Sequence, residues 1–373
     1  MVCILPRANS KRKVDFIVMA YLVVSKALPR YVKRYVRIFS FRRLFNVFSV
    51  LLSMTVSLIF RRPIIWGQPF MLMVEPTNYC NLKCPLCPSG NGEMSRRRGN
   101  MSLDDYKAMV DELAPRSFMM MMWNQGEPYL NGCFNEMVRY AHDKGIFTFT
   151  STNGHYIRKD SEAESVVNSG LDEIIVSLDG VDQETYQQYR IGGDINKVFD
   201  GVKRLVAAKQ RLEIETPLIN LQFIVMRHNQ DDVDLAEQYA RDLGVDKFLV
   251  KTAQVYSDAD ADKFLPSEDL YNRYEETGEG LVVKGQPRRG CKVLWYSSMI
   301  NWNGDVAPCC FDKDVNFKMG SAFEKGSFKN IWRGRSYMDF RKTVLRDRRT
   351  IDMCRNCSEG YRGMFSHVKE LRS

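Results

Sequence analysis

Three cysteines, Cys80, Cys84 and Cys87, fall within eight residues of the stretch EPTNYCNLKCPLCP (75–88). Thiolates are metal ligands, and the number three is informative. A structural zinc site closes with four protein ligands, commonly as two Cys-x2-Cys pairs. Three thiolates in a C-x3-C-x2-C loop suit a cubane iron–sulfur cluster, with three irons held by protein and the fourth left to another ligand. A zinc loop is the competing reading. A second group follows late in the chain. Cys291, Cys309, Cys354 and Cys357 supply four thiolates with Cys310 beside them, and of the ten cysteines only Cys3 and Cys133 stand apart. Clustering of this kind fits metal binding better than a disulfide framework. Taken alone, four thiolates suit a zinc ribbon as well as a cluster.

The elements that must position these thiols are legible as a rhythm. Short apolar runs at 71–75, 118–124, 146–150, 173–178, 219–226 and 247–251 read as strands, and 103–113, 134–144, 161–168, 195–210 and 232–243 have helical spacing or composition. Six strands alternating with helices predict an α/β fold whose parallel sheet is covered by helices. That rhythm suits either a doubly wound sheet or part of a (β/α) barrel. Both place chemistry at the carboxyl ends of the strands, and the Cys80–Cys87 loop directly follows the first run. The methionine run Phe118–Trp123 reads as a strand buried on both faces rather than a cofactor site.

With a C-x3-C-x2-C loop after its first strand, the chain resembles the radical S-adenosylmethionine (SAM) superfamily over residues 70–255. It departs from that family in having Leu86 where an aromatic residue often precedes the third cysteine. Gly126-Glu127-Pro128 matches the family's GEP motif, which contacts the SAM amino group. Asn153, in Ser151–Gly154, and Ser177 and Asp179, in Ser177–Gly180, resemble segments lining the SAM site. The resemblance makes Ser177 and Asp179 ribose or methionine contacts and Arg190 a carboxylate partner. A β-to-α turn, a strand-end cap and a surface ion pair are the purely structural alternatives.

The resemblance implies a partial (β/α)6 barrel with a SAM-binding [4Fe–4S] cluster on Cys80, Cys84 and Cys87. It also implies reductive cleavage of SAM to a 5′-deoxyadenosyl radical and hydrogen abstraction from substrate, with a one-electron reductant such as flavodoxin or ferredoxin. The late cysteines, with Gly304 in a G-x4-C spacing to Cys309, resemble the SPASM/twitch extension of such enzymes. That places an auxiliary [4Fe–4S] cluster on Cys291, Cys309, Cys354 and Cys357, in the shorter twitch form with one cluster. Trp302–Asp305 reads as a hairpin turn presenting Cys309. Cys310 is a substitute ligand, a buried apolar side chain or a hydrogen-atom donor. The expected segments are 1–69 (basic, apolar, helical), 70–255 (core), 256–290 (linker) and 291–373 (auxiliary-cluster domain).

Composition sets the remaining bounds. A chain of 373 residues, 45% hydrophobic and 27% charged, is globular and long enough for a large domain plus an accessory one. The net charge of +9 is local: residues 1–62 hold thirteen Lys or Arg against Asp15, leaving the remainder net negative, which argues against nucleic acid as partner. Within that segment Leu44–Phe60 is uncharged and bracketed by Arg42-Arg43 and Arg61-Arg62. As a helix it spans roughly 25 Å, short of the ~30 Å hydrocarbon core. Asn46, Ser49, Ser53 and Ser57 give it a weakly polar side, so the readings are a helix lying in a membrane interface, a helix buried in protein, or a true span. Val14–Val24 is not a secretion signal, because it contains Asp15 and no small-residue cleavage site follows. The expected location is cytoplasmic, at the inner face of the membrane. Arg96–Arg98 reads as a solvated loop face, and Asp258–Asp262 lacks the glycine and glutamate of a calcium loop.

The leading functional expectation is radical oxidation or other modification of a small, sugar- or lipid-linked molecule. Peptide side-chain modification is the alternative, and a membrane-tethered metal-binding protein without catalysis is the third reading. An oxidation would need a base. His155, His228 and Asp312 are candidates with no stronger claim than surface residues.

Overall fold

The computed structural model describes residues 34, 36–278, 280–285, 290–324, 328–359 and 366–371. The apolar stretch Val14–Val24 and Cys3 lie outside the described residues.

Six strands form the centre: β1 (Met71–Val74), β2 (Met119–Met121), β3 (Phe147–Thr152), β4 (Glu173–Ser177), β5 (Leu218–Val225) and β6 (Lys247–Thr252). They pair in chain order and all in parallel. Intervening helices include α2 (Leu103–Leu113), α3 (Phe134–Asp143), α4 (Asp160–Asn168), α5 (Gln183–Tyr189), α6 (Ile195–Arg211) and α7 (Val233–Asp242), the first helix α1 being Phe41–Phe60. Every expected strand and helix is present with ends shifted by a few residues, and α5 is an addition.

Parallel strands covered on both sides read as continuous apolar runs, yet their two faces have different neighbours. Leu72, Val74, Met120, Met122, Val176, Leu221 and Phe223 pack with the helices. Met71, Met73 and Met121 turn to the other face, where they meet Met299 and Ala307 from the C-terminal region. Thus the methionine run is a strand whose alternate side chains serve two different cores.

That C-terminal region extends the same sheet. Strand β9 (Ser297–Ile300) runs parallel to β1 with Met71 opposite Ser297, and β10 (Asp305–Ala307) and β11 (Gly320–Ser321) continue outward antiparallel. The predicted turn at Trp302–Asp305 is where β9 reverses into β10. At the opposite edge β12 (Ser366–Glu370) pairs antiparallel along β6. Residues 256–290 carry the helix Asp258–Phe264 and the hairpin β7 (Tyr274–Thr277) and β8 (Gly280–Val283). Ser257 caps that helix, accepting from the Asp260 N–H, so the acidic run is a helix start.

Helix α1 docks by its polar flank. The Arg43 guanidinium donates to the carbonyls of Ile38, Ala114, Lys144 and Gly145. Asn46 exchanges hydrogen bonds with the Gln68 backbone at 2.9 Å each way. Ser57 bonds Ile64 in both directions and accepts from Trp295 Nε1 at 3.1 Å. The asparagine and serine side of this helix therefore faces the protein, and its phenylalanine side stays exposed.

Helix α8 (Arg335–Asp347) locks the added strands to the rest. Arg341 is fully buried against both the Trp332 and Tyr337 rings, 4.1 and 4.4 Å from their centroids, and donates to the carbonyls of Leu294 and Trp332. The Tyr337 hydroxyl joins Ser298 at 2.8 Å on β9 to the Ala307 carbonyl at 3.2 Å on β10. Replacing Tyr337 with Phe leaves both groups short of a partner, and we expect a loss of about 1–3 kcal/mol. Urea unfolding followed by circular dichroism checks this, with an unchanged native spectrum and a lower midpoint expected.

Candidate active site

The Cys80–Cys87 loop leaves β1 and is held from three sides. The Cys87 N–H donates to the Cys84 carbonyl, and the Cys87 carbonyl accepts from Gly90 and Asn91 in the single helical turn Pro88–Asn91. Lys83 N–H donates to the Ile191 carbonyl. The third side is the loop after β2. Glu127 N–H donates to the Tyr79 carbonyl at 2.7 Å, and Gly126 N–H to Ser89 Oγ at 3.0 Å. Gly126 sits at φ +80°, and a Cβ there would lie 2.6 Å from the Tyr79 carbonyl oxygen. Only glycine meets both conditions, which gives Gly126 a physical reason beyond its place in a turn.

Behind the loop two buried ion pairs set its walls. Glu75, at the end of β1, is fully buried and receives both arms of the Arg96 guanidinium, at 2.8 and 2.6 Å. Arg96 is thus drawn in from the basic stretch expected to be a solvated face, while Arg97 and Arg98 stay exposed. Asp179, also fully buried, is at φ +56° and holds the Arg190 side chain, with Nε at 2.7 Å. Its other oxygen accepts from Ile224 N–H at 2.6 Å. Asp179 therefore positions Arg190. Arg190 is not the surface ion pair of the structural alternative: its Nη1 lies 3.8 Å from Cys84 Sγ. Ser177 is buried at the end of β4, and Pro128 opens the short helical turn after Glu127.

The Glu127 carboxyl is enclosed by the ends of β2 and β3. Oε1 accepts from Thr152 Oγ1 at 2.8 Å and Oε2 from Asn153 N–H at 2.7 Å. Burial nevertheless pushes its pKa up to about 7 against these bonds. The Asn153 amide reaches Asn81 Oδ1 at 2.8 Å, tying the β3 loop to the cysteine loop. Asn81, Glu127, Leu130, His155, Tyr156 and Arg158 line a cavity here.

Burial pushes the Cys80 thiol up to about 11 and raises Cys84, and binding to a metal centre favours the thiolate form of both. Buried Cys84 and half-buried Cys80 and Cys87 lie on one loop, with the Arg190 guanidinium beside Cys84; three thiols suit three cluster irons with one left over.

The late cysteines converge although up to 66 positions separate them in sequence. Cys357 and Cys309 interact electrostatically with Cys291, as does Cys354. Burial raises all four thiols, Cys354 to about 11. Arg348 is buried beside them, its guanidinium donating to the carbonyls of Cys354, Cys357 and Glu359. The donor set is what a closed four-thiolate cluster requires, and Arg348 is the kind of surrounding group that orients ligands and tunes a metal site. Cys310 is half-buried against the Met71, Met73 and Met299 group together with Cys291 and Cys309, with its thiol raised to about 12 by burial.

Among the base candidates, His155 is pinned as the neutral tautomer, its Nε2 accepting from Asp194 N–H and its Nδ1 beside the Asn153 oxygens. Asp312 caps a loop by accepting from Asn316 and Phe317 N–H. His228 packs edge-on against Phe264. Asp312 lies beside the late cysteines, interacting electrostatically with Cys354 and donating its N–H to the Cys309 carbonyl. Sequence reasoning missed Lys251. Period two in KFLVK puts Lys247, Leu249 and Lys251 on one face of β6, and Lys251 interacts electrostatically with Arg273, Asp179 and Cys310. Two lysines alternating within a buried strand were the available signal. Gln222 on β5 is buried on the same inner face.

Comparison with known proteins follows this geometry. Residues 74–242 match the family model of the Radical SAM superfamily, and residues 291–358 that of the SPASM iron–sulfur cluster-binding domain. Similar proteins include the tungsten-containing aldehyde ferredoxin oxidoreductase cofactor-modifying protein of Pyrococcus furiosus, 26% identical over 77% of this chain and 86% of its own length. The PqqA peptide cyclase of Granulibacter bethesdensis is 24% identical over 78% of this chain and 79% of its own. The mycofactocin maturase MftC of Mycobacterium tuberculosis is 26% identical over 78% and 75%. Among solved structures, Streptococcus suis SuiB bound to S-adenosylmethionine aligns with TM-score 0.58 at 18% identity, covering 74% of this chain and 68% of SuiB, a likeness of fold.

An Arg348→Met substitution removes three hydrogen bonds to the carbonyls around Cys354 and Cys357. We expect anaerobically reconstituted protein to lose roughly half of its iron, about four of eight atoms, while the remainder stays reducible by dithionite. Iron analysis with electron paramagnetic resonance checks this.

Proposed function

Because this chain is a radical SAM superfamily enzyme carrying [4Fe–4S] and SAM chemistry with a SPASM auxiliary-cluster domain, we propose that it modifies a peptide side chain by hydrogen abstraction. When bound, the cluster and SAM supply a 5′-deoxyadenosyl radical, and the auxiliary cluster supplies a route for an electron. Cys80, Cys84 and Cys87 would hold the first cluster; Cys291, Cys309, Cys354 and Cys357 the second, in the single-cluster twitch form. Arg190, fixed by Asp179, stands ready beside Cys84 for a carboxylate. Gly126, Glu127, Pro128, Asn153 and Ser177 would frame the remainder of SAM.

The observation that carries the reading is the inner face of the sheet. The auxiliary cysteines pack on Met71, Met73 and Met121 of that face, and Lys251 interacts electrostatically with both Asp179 and Cys310. A substrate there touches both cysteine groups at once. Gln222 and Lys251 would orient it, and the methionine wall would exclude water. Peptides are favoured over the small molecules first expected because the relatives from Granulibacter and Mycobacterium, matched over 78% of this chain, are named as a peptide cyclase and a maturase. The Pyrococcus relative, named for modifying a cofactor, supports the small-molecule reading. Thiols grouped for metal rather than disulfides suit a reducing compartment, so we place the enzyme in the cytoplasm with a flavodoxin or ferredoxin as reductant.

The test incubates reconstituted enzyme with SAM, dithionite and the short peptides encoded beside its gene, with sugar alcohols and lipid-linked sugars in parallel. Peptide-dependent 5′-deoxyadenosine with a matching mass change in the peptide is expected; stimulation by the sugars alone would overturn the peptide reading. Lys251→Ala should lower substrate-dependent turnover at least tenfold and leave substrate-free SAM cleavage within about twofold, a difference of at least about 1.4 kcal/mol in one step only.

A further inference from the structure

Helix α1 is inside out. Arg43, Asn46, Ser53 and Ser57 are buried, whereas Phe41, Phe45, Phe48, Leu52 and Ile59 face outward, Phe45 and Phe48 being 72% and 61% exposed. The outward residues recur every three or four positions from Phe41 to Leu52 and resume at Ile59 past exposed Thr55, an apolar stripe interrupted once along 20 residues, about 30 Å of helix. An exposed stripe of this length is what marks an interaction surface on a folded protein.

The orientation is not incidental. Turning the phenylalanines inward would break the paired Asn46–Gln68 bonds, the Ser57–Ile64–Trp295 junction and the carbonyl contacts of Arg43. Each would leave a buried polar group without a partner. The protein core therefore fixes which side the helix shows.

We propose that this stripe docks the enzyme on an anionic phospholipid leaflet, with α1 lying in the plane of the interface. Charge selects the occupant. Exposed Arg42 stands at one end of the stripe and exposed Arg61 and Arg62 at the other, within a segment holding thirteen Lys or Arg against one acid. Arginines at headgroup level over an apolar face suit anionic lipid. A second copy laid on the same stripe would set arginine against arginine in either direction, since both ends are basic. Half-exposed Trp66, just past the helix, adds the amphipathic aromatic that favours an interface. Length and apolarity alone would let α1 cross a bilayer. Its polar flank, bonded into the core along its whole length, keeps it on one side.

The test uses the full chain, reconstituted, sedimented with vesicles of phosphatidylglycerol and phosphatidylcholine, or of phosphatidylcholine alone. Binding to the anionic vesicles is expected to exceed binding to the neutral ones at least tenfold, and to fall at least tenfold in Phe45→Glu/Phe48→Glu and in Arg61→Ala/Arg62→Ala. SAM cleavage without substrate should be unchanged in both variants. Brominated lipid should also quench Trp66, seen as the difference from Trp66→Phe, which tests the native chain independently of how the variants fold. Absence of vesicle binding and of quenching would overturn the proposal. So would a dimer in light scattering that the Phe45→Glu/Phe48→Glu variant dissociates, or labelling of the stripe's face by cross-links to residues 14–24 in the presence of vesicles.

Discussion

The parallel pairing of β9 with β1 is the constraint on which the rest depends. Strand β1 leads into the three-cysteine loop, and β9 lies between Cys291 and Cys309. Four residues of register therefore make neighbours of two strands that lie more than two hundred positions apart and flank the two cysteine groups. The same pairing sets one face of β1 toward the auxiliary cysteines and the other toward the helices. Arg341 and Tyr337 fasten β9 and β10 from behind, and the Trp302 ring packs so tightly on Gly99, whose added Cβ would lie 2.4 Å from it, that the hairpin also clamps the segment following the cysteine loop. The two cysteine groups belong to one sheet rather than to two bodies joined by a linker.

Buried charge does the positioning. Glu75 with Arg96 and Asp179 with Arg190 are pairs whose carboxylates have no exposure. Such pairs contribute little net stability, yet removal of one partner is expensive, about 3–5 kcal/mol, because a charge is then stranded. Their value here is placement: Arg96 ties the segment beyond the cysteine loop to the end of β1, and Arg190 is aimed at Cys84. Arg348 plays the comparable part at the second group through backbone carbonyls. The raised Glu127 and Cys80 pKa values have one cause, burial, which outweighs the hydrogen bonds that favour the charged forms.

Much of this was legible in the sequence because it is local. Strand and helix limits follow from period and turn chemistry, and C-x3-C-x2-C is contained in one loop. The hairpin at Trp302–Asp305 was readable for the same reason. What escaped was non-local. Nothing in SSMI announces a parallel partner for MLMV, and nothing in Arg96 distinguishes it from the neighbouring Arg97 and Arg98 until Glu75 is seen at the strand end. Lys251 was visible only as alternation within a strand whose inner face was then unknown. Helix α1 is the instructive case. Its weakly polar stripe was correctly spaced, but period alone cannot say whether serines face water or a core that offers Gln68, Ile64 and Trp295 as partners.

The central claim is one SAM-binding cluster and one auxiliary cluster on a single chain. Iron and acid-labile sulfide per chain, measured after anaerobic reconstitution of the native protein and of a Cys80→Ala/Cys84→Ala/Cys87→Ala variant, test it most directly when paired with SAM cleavage under dithionite. The account predicts about eight irons falling to about four, with 5′-deoxyadenosine formed by the native protein alone. Zinc in place of iron, with SAM left intact, would contradict it.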